Sequence, residues 1–425
     1  MRFSIDPLAM RVRSLFTLSV FTLLPLSIPV HGEPEDHSQH EISGKATLLA
    51  SYNDIIDPNT DLSRLDGDDS LDLAATLQLS YEYSNDNVGF FSHLQLTTEA
   101  QGDRGDVGIV QLYGYFTLPF DQEKSLTFSA GQFFMPSSME NTEDFWDSPY
   151  SNNFSALNTW IAEEVRPVGL EVRYDQFNDA DASAFGFGVM GFVGNDSMGS
   201  QLTWRGWSIG RHKSVYSEIL PLPPLSQIDQ GVFADQRVDG SKPFGRDLDN
   251  RYGYLLHGYW SPEPELTFKL SYFDNKGDGR IYRGEYAWVT RFSVAGARWD
   301  IDEHWTVLGE TMWGDSAMGK PAITGVDVDF DSSYILARYQ REQWDYSLRL
   351  EQFESRDRAV LPGDLHDQGR ALTLAARWRA FGEPWTVIME WIRVDSQERR
   401  TRVLDDAVAL DDNESQLSVS LSYEF

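Results

Sequence analysis

The run Leu71-Asp72-Leu73-Ala74-Ala75-Thr76-Leu77-Gln78-Leu79-Ser80-Tyr81-Glu82-Tyr83 decides the fold. Leu71, Leu73, Ala75, Leu77, Leu79, Tyr81 and Tyr83 alternate with Asp72, Ala74, Thr76, Gln78, Ser80 and Glu82. Successive side chains of a strand point to opposite faces, so this spacing predicts a strand with one apolar face, ending in aromatics, and one wet face. The end of the chain repeats the pattern: Leu417, Val419, Leu421, Tyr423 and Phe425 interleave with Ser418, Ser420, Ser422 and Glu424.

Working outward, similar runs of about ten residues predict 16 strands, near 42–52, 71–83, 88–98, 108–118, 124–134, 168–174, 182–193, 252–260, 266–272, 287–298, 305–313, 330–339, 344–353, 371–378, 385–394 and 416–425. The connections between them alternate in length. Short ones fall at 84–87, 120–123, 175–181, 261–265, 300–304, 340–343 and 381–384. Long ones fall at 53–70, 99–106, 135–167, 194–251, 273–286, 314–329, 354–370 and 395–415. A soluble sandwich has no reason to sort loop length by end, whereas an outer-membrane barrel has short turns on one side and long loops on the other. The expected fold is therefore all-β: a transmembrane antiparallel β-barrel of about 16 strands. Its apolar faces meet lipid, its polar faces line water, and closure pairs every backbone group.

Composition agrees. The 425 residues include 25 Phe, 18 Tyr and 13 Trp, too aromatic for a disordered chain, and no segment after the N-terminus has the roughly 20 apolar residues of a membrane helix. Lys and Arg number 35 against 66 Asp and Glu, a net charge of -31, so no basic footprint for a nucleic acid is available. With no Cys, disulfides and thiolate-ligated metals are excluded.

Arg2, Arg11 and Arg13 precede the apolar stretch Leu15 to Val30, and the chain turns polar at Glu33-Pro34-Glu35-Asp36. Residues 1–32 are expected to be a secretory signal peptide rather than an anchor, because Pro25 and Pro29 shorten the apolar segment. Its loss takes three Arg and one Asp with it, moving the charge from -31 to -33. The expected organisation continues with a polar tail over 33–40 and a single barrel over 41–425.

The export signal, alternating strands, sorted loops and terminal Tyr423-Glu424-Phe425 resemble Gram-negative outer-membrane porins. Gly131-Gln132-Phe133-Phe134-Met135-Pro136, the run from Trp207 through Leu220-Pro221-Leu222-Pro223-Pro224 with Pro243-Phe244, and Tyr252-Gly253-Tyr254 are similar to stretches of phosphate-selective (porin O and P type) channels and related porins. The resemblance implies that the third long loop, 135–166, folds into the barrel and narrows it. It also implies outer-membrane lipid, lipopolysaccharide and small hydrophilic solutes as partners, and a homotrimer, with no cofactor.

That loop carries Glu140, Glu143, Asp144, Asp147, Glu163 and Glu164, with Phe145, Trp146 and Trp160 as candidate anchors. Taking Leu, Val and Trp as lipid-facing, the opposite parity puts Arg173, Lys269, Arg291, Arg338, Arg349 and Arg377 on the inner wall. Basic wall residues opposite the acidic loop residues Glu140, Glu143, Asp144 and Asp147 would set a transverse field across a constriction. The competing reading pairs these cations locally with inward Glu171, Glu310, Asp345, Glu351 and Glu390.

Other signals are weaker. Asp274-Asn275-Lys276-Gly277-Asp278-Gly279 and Asp66-Gly67-Asp68-Asp69 lack the spacing of a calcium loop and read as acidic turns, so no metal is expected. His93 and His257 have inward parity, but no nucleophile spacing accompanies them, and no enzyme activity is expected. The leading function is passive diffusion of small hydrophilic solutes through a water-filled channel. Its alternatives are a substrate-specific channel for phosphate, organic anions or sugars, an outer-membrane hydrolase, and a surface receptor using the long exterior loop 194–250.

Overall fold

The computed structural model describes residues 38–54, 63–65, 70–98, 107–223, 233, 235–237, 240–320, 324–359, 365–379, 384–400 and 408–425. The signal segment lies outside these residues. Sixteen strands close into one antiparallel barrel, each hydrogen-bonded to its sequence neighbours. They are β1 (Ser38–Asp54), β2 (Ser70–Asn85), β3 (Val88–Thr97), β4 (Val107–Pro119), β5 (Lys124–Gln132), β6 (Val168–Asn178), β7 (Ser183–Val193), β8 (Gly253–Glu263), β9 (Leu266–Asp274), β10 (Val289–Asp300), β11 (Trp305–Lys320), β12 (Thr324–Arg341), β13 (Trp344–Asp357), β14 (Leu365–Trp378), β15 (Trp385–Arg400) and β16 (Val408–Glu424). The first strand begins at Ser38, so the last three residues of the expected tail already belong to the sheet.

Closure comes from β1 against β16, with Lys45 opposite Glu424 and Leu48 opposite Leu421. Gly44 and Phe425 exchange backbone bonds of 2.8 and 2.9 Å, which uses the last residue to complete the ladder. The outer surface is apolar to a degree water would not favour: Leu73 is 70% and Leu170 68% exposed, in a band that runs around the wall. Aromatic pairs mark the short-turn end of that band, among them Trp305 with Tyr339 at 4.8 Å, Trp344 with Trp378 at 5.6 Å and Trp385 with Tyr423 at 4.7 Å.

Several long connections turn out to be strand. The expected loop 314–329 is mostly ladder, with only 321–323 between β11 and β12. The strands from β11 to β16 run to 14–18 residues, where about 9–11 would span a bilayer. Beyond the lipid both faces meet water, so alternation of apolar and polar residues fades while backbone pairing continues. Asp315 opposite Asp329, in Cα register, is such a pair.

The core lies inside the barrel. Residues 133–167, between β5 and β6, carry helix α1 (Ala156–Glu164), every residue of which is buried. Residues 194–252, between β7 and β8, carry the short helix α2 (Ser200–Trp204). Both segments pack on inward-facing wall residues, which are apolar where they meet: Phe292, Val294, Leu308, Met312, Phe330, Leu336 and Phe353 join Leu157, Trp160, Ile161, Trp207 and Ile209 in one cluster.

Candidate functional site

The 133–167 segment is fastened across the lumen by polar groups on many strands. Asn153 Nδ2 donates to Glu390 at 2.6 Å and to Gln416 at 2.7 Å, and Asn152 Nδ2 donates to Ser418 at 3.0 Å. At the start of α1 the orphan backbone donors meet carboxylates, as a helix N-terminus favours: Ser155 N–H donates to Glu140 and Ala156 N–H to Glu351, each at 2.9 Å. At its end Arg166 donates to the Ala162 carbonyl at 2.5 Å and lies 3.7 Å over the Phe134 ring. Aromatic anchors do the rest. Trp160 meets Phe292 at 5.0 Å and Phe330 at 5.3 Å, Trp146 stacks on Phe134 at 4.1 Å, and Phe145 meets the His93 ring at 5.1 Å.

The wall cations have unequal roles. Arg349 donates to Glu140 at 2.5 Å and to Glu351 at 2.9 Å, and also holds the carbonyls of Asn153 and Phe154. Arg377 donates to Glu143 at 2.7 Å and to the Pro149 carbonyl, and Lys269 donates to the Ser138 carbonyl at 2.7 Å. Arg338 instead pairs with Asp345 at 2.9 Å, and Arg173 with Asp175 at 2.8 Å, both on the wall itself. Asp144 is exposed.

Arg291 requires a correction. It sits on the outer face with Val289 and Trp299, 55% exposed, paired with Asp315 at 2.7 Å. The inner wall of β10 is apolar there because Phe292 and Val294 pack on the inserted segment, so the rule that apolar means lipid-facing inverts. Arg298 is the inward cation of that strand, donating to the Tyr150 hydroxyl at 3.1 Å.

The expected exterior loop over 194–250 is corrected by its stretch 198–215, which enters the same lumen with Met198, Leu202, Trp207, Ile209 and Val215 buried; nothing in its pattern signals this. Arg205 makes a buried ion pair with Glu163 at 2.5 Å. Trp207 N–H donates to Asp367 at 2.9 Å and its indole to the Glu354 carbonyl at 3.0 Å. Arg64, from the β1–β2 connection, pairs with Asp367 at 2.8 Å and donates to the carbonyls of Arg205 and Trp207. Lys213 donates to Gln78 at 2.6 Å, to the Phe145 carbonyl at 2.9 Å and to Asp147.

Between these segments and the walls of β1, β2, β3, β15 and β16 a cavity of ≈ 70 Å³ remains, room for a few waters. Hydroxyls and amides line it, from Thr47, Thr76, Gln78, Gln95, Thr97, Ser420 and Ser422, with Lys45, Asp147, Arg211 and Lys213 as its charges. Lys45 pairs with Glu143 at 2.9 Å and Asp147 at 3.1 Å. Burial opposes ionisation of Asp147, but Lys213 and Lys45 outweigh it and hold the carboxyl well below the usual range. A second cavity of ≈ 250 Å³ lies by Tyr113, Glu171, Arg173 and Lys269. Lys45 was legible from its inward parity in β1; Lys213 and Arg205, in an irregular segment, carried no such mark.

Neither inward histidine addresses a serine. His93 bonds Gln78 at 3.2 Å and His257 bonds Glu171 at 2.7 Å. Gly188 makes room for the latter, since a Cβ there would stand 2.2 Å from the His257 ring.

Fold and lumen define an outer-membrane β-barrel. Solved structures of that kind are similar along nearly the whole chain. The anion-selective porin of Comamonas acidovorans matches with a TM-score of 0.53 at 13% identity, over 91% of this chain and 100% of that one. The outer-membrane channel DcaP of Acinetobacter baumannii gives 0.53 at 10%, over 93% and 99%, and OmpT, an outer membrane protein of Vibrio cholerae in its trimer form, gives 0.51 at 11%, over 92% and 100%. No protein-family model and no curated protein matches the sequence.

Proposed function

We propose that this barrel is a narrow outer-membrane channel for small hydrophilic solutes and performs no chemistry. The observation that carries the reading is the hydroxyl- and amide-lined cavity between the two inserted segments and the β1–β3 and β15–β16 walls. Polar lining with paired charges suits hydrated solutes and penalises apolar ones. The likeness to a protein described as an anion-selective porin and to one described as an outer membrane channel supports it. A homotrimer, the form named for the Vibrio cholerae protein, belongs to the same reading.

Within it, a substrate-specific channel is favoured over an open diffusion pore, because Trp160 and Trp207 of the two inserted segments pack on each other and on the wall inside the lumen. Phosphate, organic anions and sugars are the solute classes that such a polar lining suits. Planar-bilayer recordings with salt-gradient reversal potentials and a panel of these solutes test it. A small conductance blocked saturably by one class is expected. A silent protein, also silent when the inserted segments are loosened by mutation, would overturn the channel reading.

A further inference from the structure

The excursion 194–252 leaves and rejoins the barrel through a neck whose two strands of chain touch. Gly194 lies against Gly245, so that an added Cβ would meet the Gly245 carbonyl at 2.7 Å. Asn195 Nδ2 donates to the Pro243 carbonyl at 3.2 Å, and the Leu248 N–H donates to Asp196 Oδ2 at 2.5 Å. This neck brings Asp196, just after β7, beside Asp247 and Asp249, just before β8. One carboxylate oxygen from each of the three lies within 4.8 Å of the others.

We propose that Asp196, Asp247 and Asp249 form a calcium site that clamps the two roots of the 194–252 excursion. Convergence of acids alone would be ordinary surface chemistry, but Asp249 adds a separate sign. Its side chain is only 1% exposed, and its Oδ2 is buried and accepts no hydrogen bond. Its other oxygen accepts the Arg251 N–H at 3.0 Å, while the half-exposed Arg251 Nε makes a long ion pair with Oδ2 at 3.9 Å, beyond hydrogen-bonding reach. A buried, unbonded carboxylate oxygen is costly unless something positive binds it. Asp247 accepts the Asn250 N–H on Oδ1 at 2.6 Å.

All three donors are hard oxygens, which select calcium or magnesium over softer metals. Calcium takes oxygens at about 2.3–2.6 Å in flexible geometry, and so can bridge donors up to about 5 Å apart; magnesium, at about 2.1 Å, demands a tighter octahedron. Backbone carbonyls and water would complete the shell. The consequence lies in the lumen, because the clamped excursion is the one that carries Arg205, Trp207 and Lys213 into the barrel. Asp274 and Asp278 do not share the role: they bond Lys276 and Tyr282 respectively, and Asp66 to Asp69 lie outside the described residues.

The test uses the full-length folded protein in detergent, stripped with chelator and titrated calorimetrically with calcium chloride and then magnesium chloride. One calcium per chain is expected, with a dissociation constant of about 10⁻⁴–10⁻³ M, as in extracellular calcium modules, and at least tenfold weaker binding of magnesium. Asp249→Asn should weaken calcium at least tenfold, and Asp327→Asn, at another acidic position, should leave it unchanged. Calcium should also slow amide hydrogen exchange in 194–200 and 246–252. Should Asp249→Asn fail to give a heat-modifiable barrel on gels, Asp247→Asn takes its place. No saturable calcium uptake by the wild type, or wild-type affinity in the folded variant, would overturn the proposal.

Discussion

Arg349 of the barrel wall and Glu140 of the inserted segment form an ion pair in which neither side chain exceeds 1% exposure. Around it Glu351 and Glu390 are also buried, at 5% and 1%, so a single guanidinium neutralises several carboxylates. Burying charge is expensive, and the arrangement is stable only because Arg349 finds further partners in Ser151, Asn153, Phe154 and Thr373. Arg349→Ala removes this cation and leaves its acidic partners without it, which costs about 3–5 kcal/mol. The loss falls on the docking of 133–167 rather than on the strand ladders. The expected outcome is a barrel that still migrates as folded on gels, with raised and noisier single-channel conductance. Unchanged conductance with an unchanged melting temperature would show the pair to be dispensable.

Asp147 lies between two ammonium groups, Lys45 at 3.1 Å and Lys213, on the border of the polar cavity. Asp147→Asn leaves a surplus of positive charge there and should shift the reversal potential towards anion preference; Lys213→Ala should shift it towards cations. The pH dependence follows from the lowered pKa of Asp147, which Lys213 and Lys45 produce against the effect of burial. A carboxyl whose folded value lies below its unfolded value of about 4 gives its full stabilisation above that value and loses it only as pH falls through the folded one. The difference in selectivity and segment docking between the wild type and Asp147→Asn should therefore be flat from about pH 8 to about pH 4 and vanish only in stronger acid. Reversal potentials recorded across that range check the sign, and a transition near neutrality would contradict it.

How much of this was legible in the chain depends on what each residue faces. Strands such as Leu71 to Tyr83 and Leu417 to Phe425 have lipid on one side and water or polar groups on the other, so alternation names them directly. Legibility falls off in two places, for different physical reasons. Above the membrane, Gly314 to Lys320 keeps its ladder without an apolar face, and reads as loop. Inside the barrel, Phe292 and Val294 are apolar yet inward, because their solvent is another part of the chain; that reversal put Arg291 on the wrong face. Lys269, Arg349 and Arg377 were placed inward by parity, but their partners, Ser138, Glu140 and Glu143, lie on irregular chain whose path no periodicity records.

Trp160 is the apolar counterpart of Arg349. It packs edge-on against Phe292, Phe330 and Trp207, linking both inserted segments to β10 and β12. Trp160→Ala deletes a buried indole that also donates to Glu164 at 2.7 Å, and such truncations cost about 3–5 kcal/mol. The expected result is a measurable rise in conductance and faster hydrogen exchange in 156–164, with the strand amides unaffected. A variant as closed and as protected as the wild type would place the seal elsewhere.

Arg291 and Arg298 share one strand and face opposite ways. Arg291 pairs at the outer surface with Asp315, and exposed pairs of this kind contribute about 0–1 kcal/mol. Arg291→Ala should therefore leave conductance and selectivity at wild-type values and move stability by no more than about 0.5 kcal/mol. Arg298 faces the lumen, pairs with Asp300 at 3.0 Å and reaches the Tyr150 hydroxyl; Arg298→Ala removes a cation from the solute side and unties one end of 133–167. Selectivity should shift towards cations in that variant alone. Recording both variants in the same salt gradient separates the faces of β10, because only a lumen-facing charge acts on an ion in transit. A shift from Arg291→Ala equal to that from Arg298→Ala would mean that the strand is turned over, with Phe292 and Val294 against lipid and the packed interior described above gone.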